Sequence, residues 1–155
     1  MIISMFLINI YMYEYKAVGS KIIDGDTVDV DIDLGFSVWL NNQRIRLYGI
    51  DTPESRTSDK TEKVFGNLAK NKVISFCPVG SEIILQTKTD DSRGKYGRIL
   101  GELVTKDGVN VNKHLVENAY AVAYFGKSKD DIAAEQLANR EIIMERGEVT
   151  TEDLP

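Results

Sequence analysis

Two short segments hold the residues best suited to chemistry: Asp24-Gly25-Asp26-Thr27, and Arg46-Leu47-Tyr48-Gly49-Ile50-Asp51-Thr52-Pro53-Glu54 some twenty residues later. Cleaving a phosphodiester calls for oxygen ligands for a divalent cation, a carboxylate that activates water, and guanidinium groups that hold the phosphate. Asp26, Asp51, Glu54 and Arg46 supply all three kinds. The pair of segments therefore reads as a metal-dependent phosphodiesterase site.

The elements that must position these residues are legible from the pattern. Tyr15 to Ile23, Asp26 to Leu34 and Gln43 to Tyr48 are β-rich and broken by Gly or Asn, which predicts three strands. Val28, Val30, Ile32 and Leu34 alternate with Asp29, Asp31 and Asp33, the period of a strand with one buried and one wet face. The three aspartates are expected to face solvent rather than a metal. Asp26 shares the parity of the apolar set, so its carboxylate needs a hydrogen-bonding, ionic or metal partner; Arg46, on a face with Arg44 and Tyr48, is a structural candidate. A helix is predicted from about Thr61 to Phe76, ended by Pro78 and Gly80. Strands are predicted at Ser81 to Thr89 and Arg98 to Val104, joined by the polar turn from Asp90 to Gly97. A short helix near Asn110 to Glu117, a longer one near Asp130 to Arg146 and a frayed tail complete the chain. Clustered strands with an inserted helix and terminal helices indicate an α+β domain whose β part is a small, partly closed barrel.

With 155 residues, 43% of them apolar, the chain has enough material for one domain with its own core. The single cysteine, Cys77, excludes an internal disulfide and a cysteine-based zinc site, and it follows an apolar run as a buried small hydrophobe would. His114 is the only histidine, which argues against Ser-His catalysis and leaves it a structural role. The net charge of −5 is unusual for a molecule that grips a polyanion, so attraction must be local, around cations such as Lys88, Arg93, Lys95 and Arg98. Residues 1–14 form an apolar extension with no Lys or Arg, shorter than the ~20 residues a spanning helix needs. An export signal of unusual type, an extra edge strand, and a true start at Met12 all stay open for it. No stable membrane association is expected, and the protein is expected to be soluble, whether secreted or cytoplasmic. The domain proper is expected over 15–147, with 148–155 a short acidic tail.

The order Asp-Gly-Asp-Thr, Arg-x-x-x-x-Asp-Thr-Pro-Glu, then Lys95-Tyr96-Gly97-Arg98 resembles the staphylococcal nuclease (thermonuclease) family, over roughly Lys21 to Arg146. The resemblance implies a five-stranded OB-type β-barrel with about three α-helices. It also implies calcium-dependent hydrolysis of DNA or RNA at the 5′ P–O bond, leaving 3′-phosphate ends. By motif position, Asp26, Asp51 and the backbone carbonyl of Thr52 would ligate calcium, Glu54 would orient or deprotonate water, and Arg46 and Arg98 would hold the scissile phosphate. Lys95 and Tyr96 resemble contacts to a terminal phosphate, and Tyr124 a tyrosine of the nucleotide pocket. A monomer acting on a nucleic-acid substrate is expected.

Two departures accompany the resemblance. The family's second tyrosine falls on Gly126, and the excursion from Leu34 to Gln43 is longer than in the staphylococcal enzyme. Trp39 there could stack on a base, but packing of Phe36, Val38 and Trp39 within a hairpin is the favoured expectation. The rival readings are a buried ion-pair network inside a barrel, a small OB-type oligonucleotide binder, and a non-catalytic nuclease-like domain that binds nucleic acid or protein. Five intact site residues disfavour the first and the third, the acidic net charge speaks against a pure binder, and Tyr48, Tyr96 and Tyr124 suit a nuclease pocket better than a continuous aromatic platform.

Overall fold

The computed structural model describes residues 13–88 and 97–155. In chain order the elements are β1 (Glu14–Asp24), β2 (Thr27–Asp33), β3 (Trp39–Leu47), β4 (Ile50–Asp51), α1 (Lys60–Phe76), β5 (Glu82–Thr87), β6 (Ile99–Val104), α2 (Val111–Glu117), β7 (Val122–Ala123) and α3 (Lys129–Glu145). Five strands close a barrel in the order β1-β2-β3-β6-β5. All its pairings are antiparallel except β3 with β6. With three helices outside, this is the α+β, OB-type architecture expected, and the barrel is closed rather than partly open. The turn bearing Lys95 and Tyr96 lies outside the described residues.

The alternation read along β2 places Val28, Val30 and Ile32 in the core. The aspartates between them meet polar groups instead. Asp29 pairs with Arg44, while Asp31 and Asp33 accept backbone N–H bonds from Asn42 and Gly35. Helix α1 starts where the Asp59 side chain accepts the N–H of Glu62, satisfying one of the donors a helix start leaves open. It presses Phe65, Ala69 and Val73 into the core. Fully buried Asn112 fastens the parallel seam: it accepts the N–H of Leu103 and donates to the carbonyls of Tyr48 and Gly101.

Two expectations fail. Phe36, Val38 and Trp39 do not pack: Phe36 is fully exposed and Trp39 is 46% exposed. The β2–β3 hairpin runs past the stretch of β3 that pairs with β6, where among the described residues no second layer covers it, and Phe36 and Ser37 at its tip adopt positive φ. The tail after Gly147 is anchored rather than frayed. Val149 is buried, Leu154 packs on the core, and Glu148 accepts a bond from Tyr120.

Cys77 is fully buried and its thiol is pushed up by that burial, so it is a poor nucleophile. His114 packs edge-on against Phe76 at 4.7 Å, with burial lowering its pKa. Among the described residues no helix is long and apolar enough to cross a membrane.

Candidate active site

The β1–β2 turn, the end of β3 and the segment after β4 converge on one cavity of about 420 Å³. Asp26, Arg46, Asp51, Glu54 and Arg98 all line it, with Asp24, Arg44 and Arg56 beside them. Convergence follows from register: Thr27 stands opposite Arg46 across the β2–β3 ladder, so the residue just before β2 meets the end of β3. The N–H of Leu47 then bonds to the carbonyl of Asp26. Gly25 keeps this turn close-packed: a Cβ there would come within 2.8 Å of the Ala69 side chain and 3.0 Å of Thr52, so a larger residue would push them apart.

Asp26 is buried, as its parity predicted, and its partners are specific. One carboxylate oxygen accepts the Thr27 hydroxyl; the other accepts the Thr52 backbone N–H at 3.1 Å and lies 3.5 Å from Arg46. Arg46 also approaches Asp51 at 3.6 Å and donates to the carbonyl of Leu47 at 2.9 Å. One guanidinium therefore bridges two carboxylates that would otherwise repel. Asp51 nevertheless has a raised pKa, from burial first and then from Asp26, against the opposing pull of Arg46 and of a 2.7 Å bond from Gln136.

Glu54 stands more open than the other acids. Its carboxyl is also raised, by partial burial first and then by the field of Asp26, Asp24, Asp51 and Glu62. A carboxylate surrounded by acids binds a proton more readily, which suits a general base. The Glu54 backbone N–H donates to Glu62 of α1 at 3.3 Å. Arg98 is half-buried immediately before β6. Tyr124 lies under the guanidinium of Arg46, whose Cζ is 5.7 Å from the ring centroid, and lines a neighbouring cavity with Arg46, Asp51 and Gln136.

Among the described residues no group of three or more His, Cys, Asp or Glu side chains could hold a metal by itself. A cation here would draw on Asp26 and Asp51 and complete its shell with a backbone carbonyl, water or substrate oxygens, a donor set for a hard ion. Thr52 Oγ1, beside this pair, is buried without a protein hydrogen-bond partner. The residues present fit such an ion in chemistry.

Sequence reasoning missed several neighbours. Gln136 comes from α3, and nothing local marks it. Asp24, in the first motif, accepts a bond from the Ser55 hydroxyl and pairs with Arg56. Phe125 sits over Gly49, where a Cβ would come within 2.0 Å of its ring, and its plane lies 20° from that of Tyr124 at 6.2 Å. An aromatic one residue from the expected second tyrosine was the available signal.

Comparison with known proteins matches residues 44–143 to the staphylococcal nuclease homologue family. The match takes in Arg46, Asp51, Glu54 and Arg98, with Asp26 preceding it. Endonuclease YhcR of Bacillus subtilis (strain 168) is 31% identical over 117 residues, covering 72% of this chain and 9% of that protein. A protein of Escherichia coli named an uncharacterized endonuclease is 32% identical over 112 residues, covering 72% of this chain and 63% of its own length. The chain thus spans less than two thirds of either relative. The family match covers well over half of the chain, which belongs to the staphylococcal nuclease homologue family.

Proposed function

We propose that this domain is a calcium-dependent nuclease that hydrolyses phosphodiester bonds of DNA or RNA at the 5′ P–O bond, leaving 3′-phosphate ends. The observation that carries this reading is the single cavity shared by three acids, Asp26, Asp51 and Glu54, and two arginines, Arg46 and Arg98. Asp26, Asp51 and, beside them, the Thr52 carbonyl would hold the cation. When bound, calcium would neutralise charge on the phosphate and favour ionisation of nearby water.

Glu54 takes the proton of the attacking water, whose oxygen forms the new bond to phosphorus as the bond to the 5′ oxygen breaks and that oxygen leaves as a hydroxyl with a proton from solvent. Arg46 and Arg98 stabilise the charge on the pentacoordinate phosphate. Arg46 is prepared for this, since Asp26, Asp51 and the Leu47 carbonyl already fix its guanidinium, so little reorganisation remains for the reaction. Tyr124, packed against Arg46, would border the nucleotide, and by motif position Lys95 and Tyr96 would contact its outer phosphate.

The test is incubation of the purified protein with single-stranded DNA in calcium and in chelator, beside Glu54→Gln. Calcium-dependent cleavage leaving 3′-phosphates, lost in a variant that melts as the parent does, is the expected result. Binding without cleavage, unaffected by chelator or by the substitution, would replace this reading with that of a non-catalytic nucleic-acid-binding domain.

A further inference from the structure

The cavity holds two arginines that the reaction leaves unused. Arg44 comes from β3, two residues before Arg46, which places the two Cα positions about 7 Å apart along one strand face. Arg56 lies two residues beyond Glu54, and its side chain is 71% exposed. Each is held by its own acid. Asp29 receives Arg44 through Nε at 2.8 Å and Nη2 at 3.0 Å, and Asp24 stands 3.7 Å from Arg56. The acids Asp24, Asp26 and Asp29, in chain order, thus orient Arg56, Arg46 and Arg44, with the proposed scissile-phosphate arginine in the middle.

A guanidinium carries five N–H donors, so the two-pronged contact with Asp29 leaves donors of Arg44 available on its other edge. Arg56 makes its ion pair at the cavity wall and is otherwise open to solvent. Planar guanidinium groups are suited to phosphate oxygens, and both sit on a cavity whose exposed lining is mostly polar.

We propose that Arg44 and Arg56 bind the phosphates that flank the scissile one, so that the preferred substrate is a strand carrying phosphates on both sides of the cleaved bond. This inference rests on the nuclease reading and extends it. It also accounts for how a chain of net charge −5 holds a polyanion: the contacts are few, local and oriented by the chain's own acids. Their contribution lies in binding, because neither arginine is placed at the reacting phosphate.

The test is the initial rate of cleavage of a single-stranded octanucleotide over a range of salt concentrations, for the parent, Arg44→Ala, Arg56→Ala, Arg44→Lys and Asp29→Asn. Each alanine variant is expected to raise KM about tenfold at low salt, the lower end for a hydrogen bond to a charged group, with kcat changing far less. Each should also flatten the slope of log(kcat/KM) against log salt by about 0.7, the change expected when the protein neutralises one fewer phosphate of a single strand. Arg44→Lys should keep the slope, and Asp29→Asn, which removes the carboxylate that orients Arg44, should raise KM while keeping the slope.

The advantage of the octanucleotide over a dinucleoside monophosphate, which has no flanking phosphates, should shrink in both alanine variants. Unaltered salt slopes in variants of an active parent would overturn the phosphate contacts while leaving the nuclease reading in place. A parent that cleaves nothing with any divalent cation would overturn the nuclease reading, and this inference with it.

Discussion

Gly66 offers a sharp test of how the fold places Glu54. The helix α1 passes so close to the Glu54–Ser55 backbone that a Cβ at Gly66 would stand 2.3 Å from the Glu54 carbonyl oxygen, 2.4 Å from its carbon and 2.7 Å from the Ser55 nitrogen. Ordinary contact begins near 3.4 Å, so Gly66→Ala forces a movement of about 1 Å, a misplacement on the scale that can reduce turnover about 10²-fold. Phe65, Ala69 and Val73 fix the helix in the core, whereas Glu54 sits on a connection outside any helix or strand, flanked by buried Pro53 and Ser55; the connection gives way and the helix stays.

Alanine is the better helix former by about 1 kcal/mol, and overpacking costs about 1–3 kcal/mol. The first offsets about half of the second, leaving a net loss of about 1 kcal/mol and a fall in Tm of about 2–4 °C for a chain of this size. The assay is the initial rate on single-stranded DNA with calcium, beside a thermal melt. A variant that melts above the parent and cleaves as fast would show that helix propensity acted alone and that the contact does not set the position of Glu54.

Two further predictions follow from the same geometry. Arg98→Ala should reduce turnover about 10²-fold or more, the loss of one transition-state donor, with Tm nearly unchanged; unaltered turnover in a cleavage assay would remove Arg98 from the mechanism. Tyr120→Phe should destabilise the fold by about 1 kcal/mol at neutral pH by removing the 2.5 Å bond to Glu148, measured by denaturant unfolding at several pH values. Burial works to raise the Glu148 carboxyl, but the bonds from Tyr120 and Arg146 outweigh it and hold the group below its ordinary value. Burial and Glu148 push the Tyr120 phenol up to about 12, so it remains a donor throughout. A depressed carboxyl stabilises the fold above its unfolded-state pKa and loses that contribution as pH falls through the folded one. The difference between the variant and the parent should accordingly fade in acid.

Much of this fold was legible because its strands are half-buried: a period-2 pattern such as that from Val28 to Asp33 carries both strand identity and face. The same parity argument predicted a buried Asp26 in need of a partner, and the partner is Arg46. The β2–β3 hairpin was misread for a reason of equal generality. Apolar residues such as Phe36 and Trp39 pack only where another layer exists to receive them, and whether one does depends on how far the hairpin overshoots the barrel, which local sequence does not encode. The tail was misread in the opposite direction, because its anchors, Tyr120 and the core face that receives Val149, lie far from it in sequence.

Within the site, legibility divides along the same line. Residues on one continuous segment, from Arg46 through Asp51 to Glu54, announce themselves by spacing, whereas Gln136 reaches Asp51 across 85 positions and carries no local signature. Charge was the least legible property of all. A net charge of −5 suggests a surface that repels phosphate, yet at the cavity the acids and arginines alternate in space, Asp24 with Arg56, Asp26 with Arg46, Asp29 with Arg44. An arginine held by a carboxylate loses less side-chain entropy when a phosphate arrives than one swinging free in water. Acids that make the whole chain look unsuited to a polyanion are, at this cavity, what aims its cations.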